Sequence, residues 1–398
     1  MRAVTTALDD ALDLNDVAGP DGYLFVRDGV GFAGRGVAAR VPIDEAVAFL
    51  ASIDHDDRVG ATPGPIALGA VPFLPGSPAA LTVPELIIGK DRAGRVWQTR
   101  VHDGASHHAL GARHGSHHVA VASAASYTIR PGVPVEQYLH AVAAARDAVR
   151  AGRMAKAVIA RPIVVESDQP IDVHAVLLRL KATFGSSYRF SIDGFIGASP
   201  ELLVEVEGDI VRAHPLAGTT RTTGDPELDA QLAAELQASR KNRIEHEAAI
   251  AMVRDTLLPY CSYLDWAPEP SIVKVANVQH LGSQAEGKLS RPTATVVDLV
   301  RALQPTPAVG GHPREAAIDL ITSVEGFERG VYGGTVGWVD GRGDGTWAVS
   351  LRCAELSGDR RSARLVAGGG IVADSDPLSE LAETQAKFQA MLSALVRP

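Results

Sequence analysis

Val331-Tyr-Gly-Gly-Thr-Val-Gly-Trp-Val339, Asp340-Gly-Arg-Gly-Asp-Gly345 and Thr346-Trp-Ala-Val-Ser-Leu-Arg-Cys-Ala-Glu-Leu356 decide the fold class of this chain. The outer pieces are rich in β-branched and aromatic residues, and the middle one is dense in turn formers, so the stretch reads as two strands joined by a tight turn. A third β run, Arg364 to Ala367, comes after a short connection. Consecutive strands so closely joined pair antiparallel, because a parallel pair needs a crossover of about a dozen residues or more. A Rossmann arrangement is therefore disfavoured, and no GxGxxG follows a strand. The expected class is α+β: a single large domain over residues 1–398, with antiparallel β-sheets flanked by helices.

Working backwards, Leu202 to Val206 and Phe190 to Asp193 read as a strand pair with Gly197-Ala-Ser-Pro-Glu201 between them, and Glu227 to Leu258 as two helical stretches. Lys156-Ala-Val-Ile-Ala-Arg-Pro-Ile-Val-Val165 is a strand whose period of two puts Lys156 on one face with Val158 and Ala160. A lysine opening an apolar strand face is unusual. Ahead of it, Leu139, Val142, Ala145 and Val149 recur at helical spacing between Pro134 and Gly152. Residues 1–130 show short apolar pieces between turns, consistent with short antiparallel strands. Working forwards, Gly368-Gly369-Gly370 precedes Asp376-Pro377, a helix start with an N-cap residue and proline in the first turn. Glu380, Glu383 and Lys387 then fall within roughly a 60° arc of that helix. Leu378, Leu381, Phe388, Leu392 and Leu395 form its apolar stripe. Carboxylates beside glycine backbone suggest a bridging cation at an anion site, although the same pattern also suits a solvated charged edge. Glu245 in Lys241-Asn-Arg-Ile-Glu245-His246-Glu247 admits both readings too, and hard oxygen donors of this kind suit Mg²⁺.

Composition narrows the function. With 38 Lys+Arg against 47 Asp+Glu the net charge is −9, without the basic footprint of a nucleic-acid binder. No stretch approaches the roughly 18 apolar residues of a membrane span. Cys261 and Cys353 have no CxxC partner, so neither a disulfide framework nor a cysteine zinc site is expected. A cytoplasmic protein acting on a small molecule fits these observations. Six of the 13 histidines lie between His102 and His118 among interleaved glycines; a polar loop is the expected reading, and a histidine-rich metal site the competing one.

Nine motifs, in order, carry a resemblance: Lys156-Ala-Val-Ile-Ala-Arg161, Gly197-Ala-Ser-Pro-Glu201-Leu-Leu, Pro215-Leu-Ala-Gly-Thr219, Arg243-Ile-Glu245-His246, Gln279-His280-Leu281, Pro305-Thr-Pro-Ala-Val-Gly-Gly311, Gly337-Trp338, Ser350-Leu-Arg352-Cys-Ala, and Gly368-Gly-Gly-Ile-Val through Glu383-Thr384. The chain resembles the chorismate-utilising enzymes, most closely their isochorismate synthase branch, which feeds salicylate, catechol siderophores and menaquinone. The likeness is clearest over 134–398 and weaker over 1–130. It implies the aminodeoxychorismate-synthase-like fold, Mg²⁺ as cofactor, chorismate as substrate and a monomer.

By residue, the resemblance implies Lys156 as the general base that activates water toward C2, and Glu201 as the acid that protonates the departing C4 hydroxyl. Glu245 and Glu383 match direct metal ligands, with Glu380 nearby through water. Arg352 and Lys387 match the cations facing substrate carboxylates. Gly218, Thr219, Gly368, Gly369 and Gly370 match backbone or hydroxyl donors, and His280, Tyr332 and Ala308 pocket positions. Ammonia-using relatives generally lack the lysine. Salicylate synthases keep it, eliminate pyruvate as well, and usually carry threonine in the Pro305–Gly311 segment, where this chain has Ala308. Asn242 departs from the aspartate of many relatives. The alternatives are a salicylate synthase and a catalytically silent chorismate-binding protein.

Overall fold

The computed structural model describes residues 1–9, 12–60, 63–103, 125–275 and 278–396. The elements that build the site are α1 (Val135–Arg150), β1 (Lys156–Ser167), β2 (Phe195–Ser199), β3 (Leu202–Glu207), β4 (Leu216–Arg221), α2 (Arg240–Leu257), β5 (Val278–Gly282), α3 (Arg314–Val324), β6 (Thr335–Asp340), β7 (Gly345–Val349), β8 (Cys353–Leu356), β9 (Ser362–Ile371) and α4 (Pro377–Val396). Among the described residues the strands form sheets of thirteen, nine and three. The antiparallel expectation holds with one exception, a parallel pairing of Arg2–Leu8 with Asp54–Asp57. In the largest sheet the order β1, β9, β8, β2 continues into the N-terminal strands; β3, β7 and β6 lie side by side in the second; β4 and β5 belong to the third. Apolar side chains of the two large sheets share one core, with Phe190, Val204, Trp347 and Val366 in the same cluster.

The β6–β7 hairpin is tied by its own turn: Asp340 Oδ1 accepts the backbone N–H groups of Arg342 at 2.8 Å and Asp344 at 3.0 Å. Beyond the hairpin the chain departs twice from the sequence reading. Thr346 to Leu356 is not one strand: β7 ends at Val349, and after a three-residue passage β8 starts in the other sheet. Arg364–Ala367 is the middle of the longer β9, so Gly368, Gly369 and Gly370 are strand residues paired with Ala160, Ile159 and Val158. Upstream, Gly197 to Ser199 likewise belong to β2, leaving only Pro200 and Glu201 to connect it with β3.

The helix start at Asp376-Pro377 is as expected, with the Asp376 carboxylate accepting the Ser379 N–H at 2.9 Å. Phe388, Leu392 and Leu395 of α4 are buried, but Leu378 is 66% exposed; it lies ahead of Glu380, where the helix first meets β9. Arg161 pins α4 to β1, donating to Thr384 Oγ1 at 2.8 Å and Gln385 Oε1 at 3.0 Å. No described helix is long and apolar enough to cross a membrane. Cys261 and Cys353 are free thiols.

Candidate active site

Two chain passages lie side by side at the seam between the large sheets. β2 crosses to β3 through Pro200 and Glu201, while β7 crosses to β8 through Ser350, Leu351 and Arg352. They are laced together: Val349 N–H donates to Glu201 O at 3.1 Å, and Ala198 N–H to Arg352 O at 3.1 Å. Arg352 turns the corner at φ +48°, a conformation that costs a non-glycine residue free energy and concentrates at functional positions. Room for this corner comes from Gly197, where a Cβ would stand 2.6 Å from the Phe190 ring and 2.7 Å from Arg352 O. Gly197→Ala is expected to lower stability by about 1–3 kcal/mol or more through overpacking, read as a drop in the urea midpoint; an unchanged midpoint would show that the seam can widen.

Glu201 is buried at this seam. Desolvation pushes its carboxyl up to about 8, and the Leu216 N–H, Lys156 and Arg352 only partly offset that rise. At neutral pH its protonated form is therefore favoured. Arg352 beside it is half-buried, and desolvation lowers its guanidinium to about 10. Its Nη2 donates to His280 Nε2 at 3.0 Å, whereas the buried Nη1 has no hydrogen-bond partner among the described residues. A buried, unsatisfied guanidinium donor calls for an anion.

His280, on β5, has its tautomer fixed by these contacts. Arginine can only donate, so Nε2 accepts and Nδ1 carries the hydrogen, which Nδ1 presents to Thr219 Oγ1 at 3.0 Å and Gly218 O at 3.3 Å. Burial and the charges of Arg352 and Lys387 push its pKa down to about 3. It is therefore neutral and orients Arg352, so a positioning role is what the geometry supports. Gly218 takes φ +75°, with Asn242 close by. Asn242 itself donates to Ser239 Oγ at 2.9 Å.

Lys156 opens β1 and forms an ion pair with Glu245 of α2. Its stem passes over Gly370, where a Cβ would collide with Lys156 Cε. One residue along, a Cβ on Gly369 would fall 2.6 Å from Glu380 Oε2 and 3.7 Å from Glu383 Oε1. The glycines thus make room for the charged groups. Two of their N–H groups are engaged within the protein: Gly369 is directed into the β1 ladder, and Gly368 N–H goes to Tyr332, whose phenol is raised by burial. Lys387 Nζ donates to Gly368 O at 2.7 Å and pairs with Glu383 at 2.7 Å.

Among the described residues no three acidic, histidine or cysteine side chains stand close enough to form a ready metal cage. Glu245 meets Lys156, Glu383 meets Lys387, and Glu380 Oε1 accepts from Ser375 Oγ at 2.8 Å. The glycine cradle and the all-oxygen donor set nevertheless suit a hard divalent cation. Ala308 lies half-buried in the connection leading to α3. The histidine-rich segment lies outside the described residues from 104 onward. One participant had no signature in the sequence: the Leu216 N–H that reaches Glu201, since a backbone donor is set by register alone.

A buried carboxyl, a lysine within its field and a guanidinium with an unpartnered Nη1 thus come together at one seam. The chain belongs to the chorismate binding enzyme family, which it matches over residues 81–396. It is 36% identical over 342 residues to isochorismate synthase DhbC of Bacillus subtilis, covering 83% of this chain and 81% of that protein. It is 33% identical over 352 residues to isochorismate synthase EntC of Escherichia coli K12, covering 86% and 84%. The solved structure of DhbC from Bacillus anthracis superposes with a TM-score of 0.81 at 31% identity, over 96% of this chain and 98% of that one. The shared fold therefore extends through the N-terminal region, where the motifs are sparse.

Proposed function

We propose that this protein is an isochorismate synthase, converting chorismate reversibly to isochorismate. The observation that carries the reading is the buried carboxyl of Glu201, protonated at neutral pH and coupled to Lys156 and Arg352. The names of the relatives point the same way. Lys156, in its neutral form, takes a proton from the water that attacks C2. Electrons shift through the ring double bonds, and the C4 hydroxyl leaves as water with the proton of Glu201. One water enters and one departs, so the reaction is an isomerisation.

Arg352, through its unsatisfied Nη1, and Lys387 meet carboxylates of the substrate, and His280 holds Arg352 in place. Glu245, Glu380 and Glu383 would hold Mg²⁺, which when bound supplies positive charge to a substrate carboxylate. Incubation of purified protein with chorismate and Mg²⁺ should give isochorismate, resolved by chromatography, with the reverse reaction observable from isochorismate. Salicylate and pyruvate as the main products, or tight chorismate binding with no product, would overturn the proposal.

A further inference from the structure

We infer that the buried pair Glu325–Arg329 is a positioning device that sets turnover by holding the start of β1, and hence Lys156, against the Pro305–Gly311 segment; the inference rests on the reaction proposed above. Its basis is an interruption in the sheet. The edge of β1 away from β9 is paired with Gly311–His312 at residues 156 and 157, and with Tyr127–Pro131 from residue 163 onward. Between them no strand among the described residues covers the edge. Val158 N–H goes to Gly310 O at 2.8 Å, and Pro162 has no N–H to offer and receives Gly132 N–H at 2.9 Å. The groups left over include Val158 O and Ala160 N–H.

Glu325 and Arg329 take both. Arg329 Nη2 donates to Val158 O at 2.7 Å, and Glu325 Oε1 accepts Ala160 N–H at 2.7 Å. The two side chains are 1% and 3% exposed and bonded to each other, Nε to Oε2 at 2.9 Å and Nη2 to Oε1 at 2.5 Å. A cation and an anion four residues apart thus stand in for a missing strand, one supplying donors and the other acceptors. Arg329 reaches further: Nη1 donates to Val309 O at 2.7 Å, and the guanidinium lies 4.3 Å from the Phe73 ring centre and 5.9 Å from that of Tyr332. One rigid fork therefore ties together the strand that begins with Lys156, the segment carrying Ala308 and Val309, and the tyrosine that receives Gly368 N–H. A side chain without the fork cannot meet Val158 O and Val309 O at once. Displacements near 1 Å in such supports can cost about a hundredfold in rate.

The test uses Arg329→Lys, which keeps a cation for Glu325, and Glu325→Gln, which keeps an acceptor for Ala160. Each folded variant is expected to show kcat for chorismate reduced roughly 10- to 100-fold, with KM within about threefold. Hydrogen exchange should quicken in peptides spanning residues 157–161 while the β6–β7 hairpin is unchanged. Wild-type kcat in either folded variant, exchange raised uniformly over the chain, or failure of both variants to fold would overturn the inference, the last because the pair would then serve stability alone. If the wild-type protein makes no isochorismate, the reaction proposal fails by itself, and the exchange measurement still reads whether the pair guards this edge.

Discussion

Glu201→Gln is expected to lower kcat for chorismate by about 10²–10⁴-fold in a protein that stays folded. Glutamine keeps the shape and offers N–H donors, but it has no proton to transfer to a departing hydroxyl. The buried carboxyl titrates at about 8, so wild-type activity should fall as pH rises through that value, and the residual activity of the variant should lack this alkaline limb. Stability gives an independent reading with a definite sign. An unfolded glutamic acid loses its proton near its ordinary value of 4.5, whereas the folded one keeps it to about 8. Between those values the folded state holds more protons, so wild-type stability declines as pH rises through the window. Glutamine has no such dependence. The melting temperature of the variant relative to wild type should therefore climb from pH 5 to pH 8; a constant difference, or retained turnover, would remove Glu201 from the acid role.

Lys156→Ala is expected to reduce kcat by a similar factor of about 10²–10⁴, because the water would lose its base. The substitution shortens a side chain at the first residue of β1 and touches no ladder hydrogen bond, so the circular-dichroism spectrum should be unchanged. It also removes the Lys156–Glu245 ion pair and a positive charge that holds down the carboxyl of Glu201. The ionisation of Glu201 should accordingly move further upward, displacing the alkaline limb of whatever activity remains. Steady-state kinetics across pH 6–10 tests both parts; near-normal kcat would exclude Lys156 as the base.

Much of this was legible in the sequence where the signal is local. The turn chemistry of Asp340–Gly345 predicts the β6–β7 hairpin, and Asp376-Pro377 marks the start of α4. Lys156 and Glu201 are recognisable from motifs that surround single residues. What escaped is set by long-range register. No local property of Ser350-Leu-Arg352 announces that the chain leaves one sheet for another there, since alternation continues across the break. The three glycines resemble a loop in sequence and form a ladder in space, because β1 lies more than 190 residues earlier. Leu378 fits the apolar stripe by angle, yet it precedes the point at which α4 touches the sheet.

The position of β9 has a temporal consequence. The strand that completes the heart of the largest sheet is synthesised after the strands it joins, and it is inserted between β1 and β8 rather than added at a margin. It carries the cradle for Lys156, and the helix after it brings Glu380, Glu383 and Lys387. A nascent chain therefore holds Lys156 and Glu201 long before either has its surroundings, and a chain that stops short of α4 lacks Glu380, Glu383 and Lys387. The charged cluster is complete only once α4 has been made.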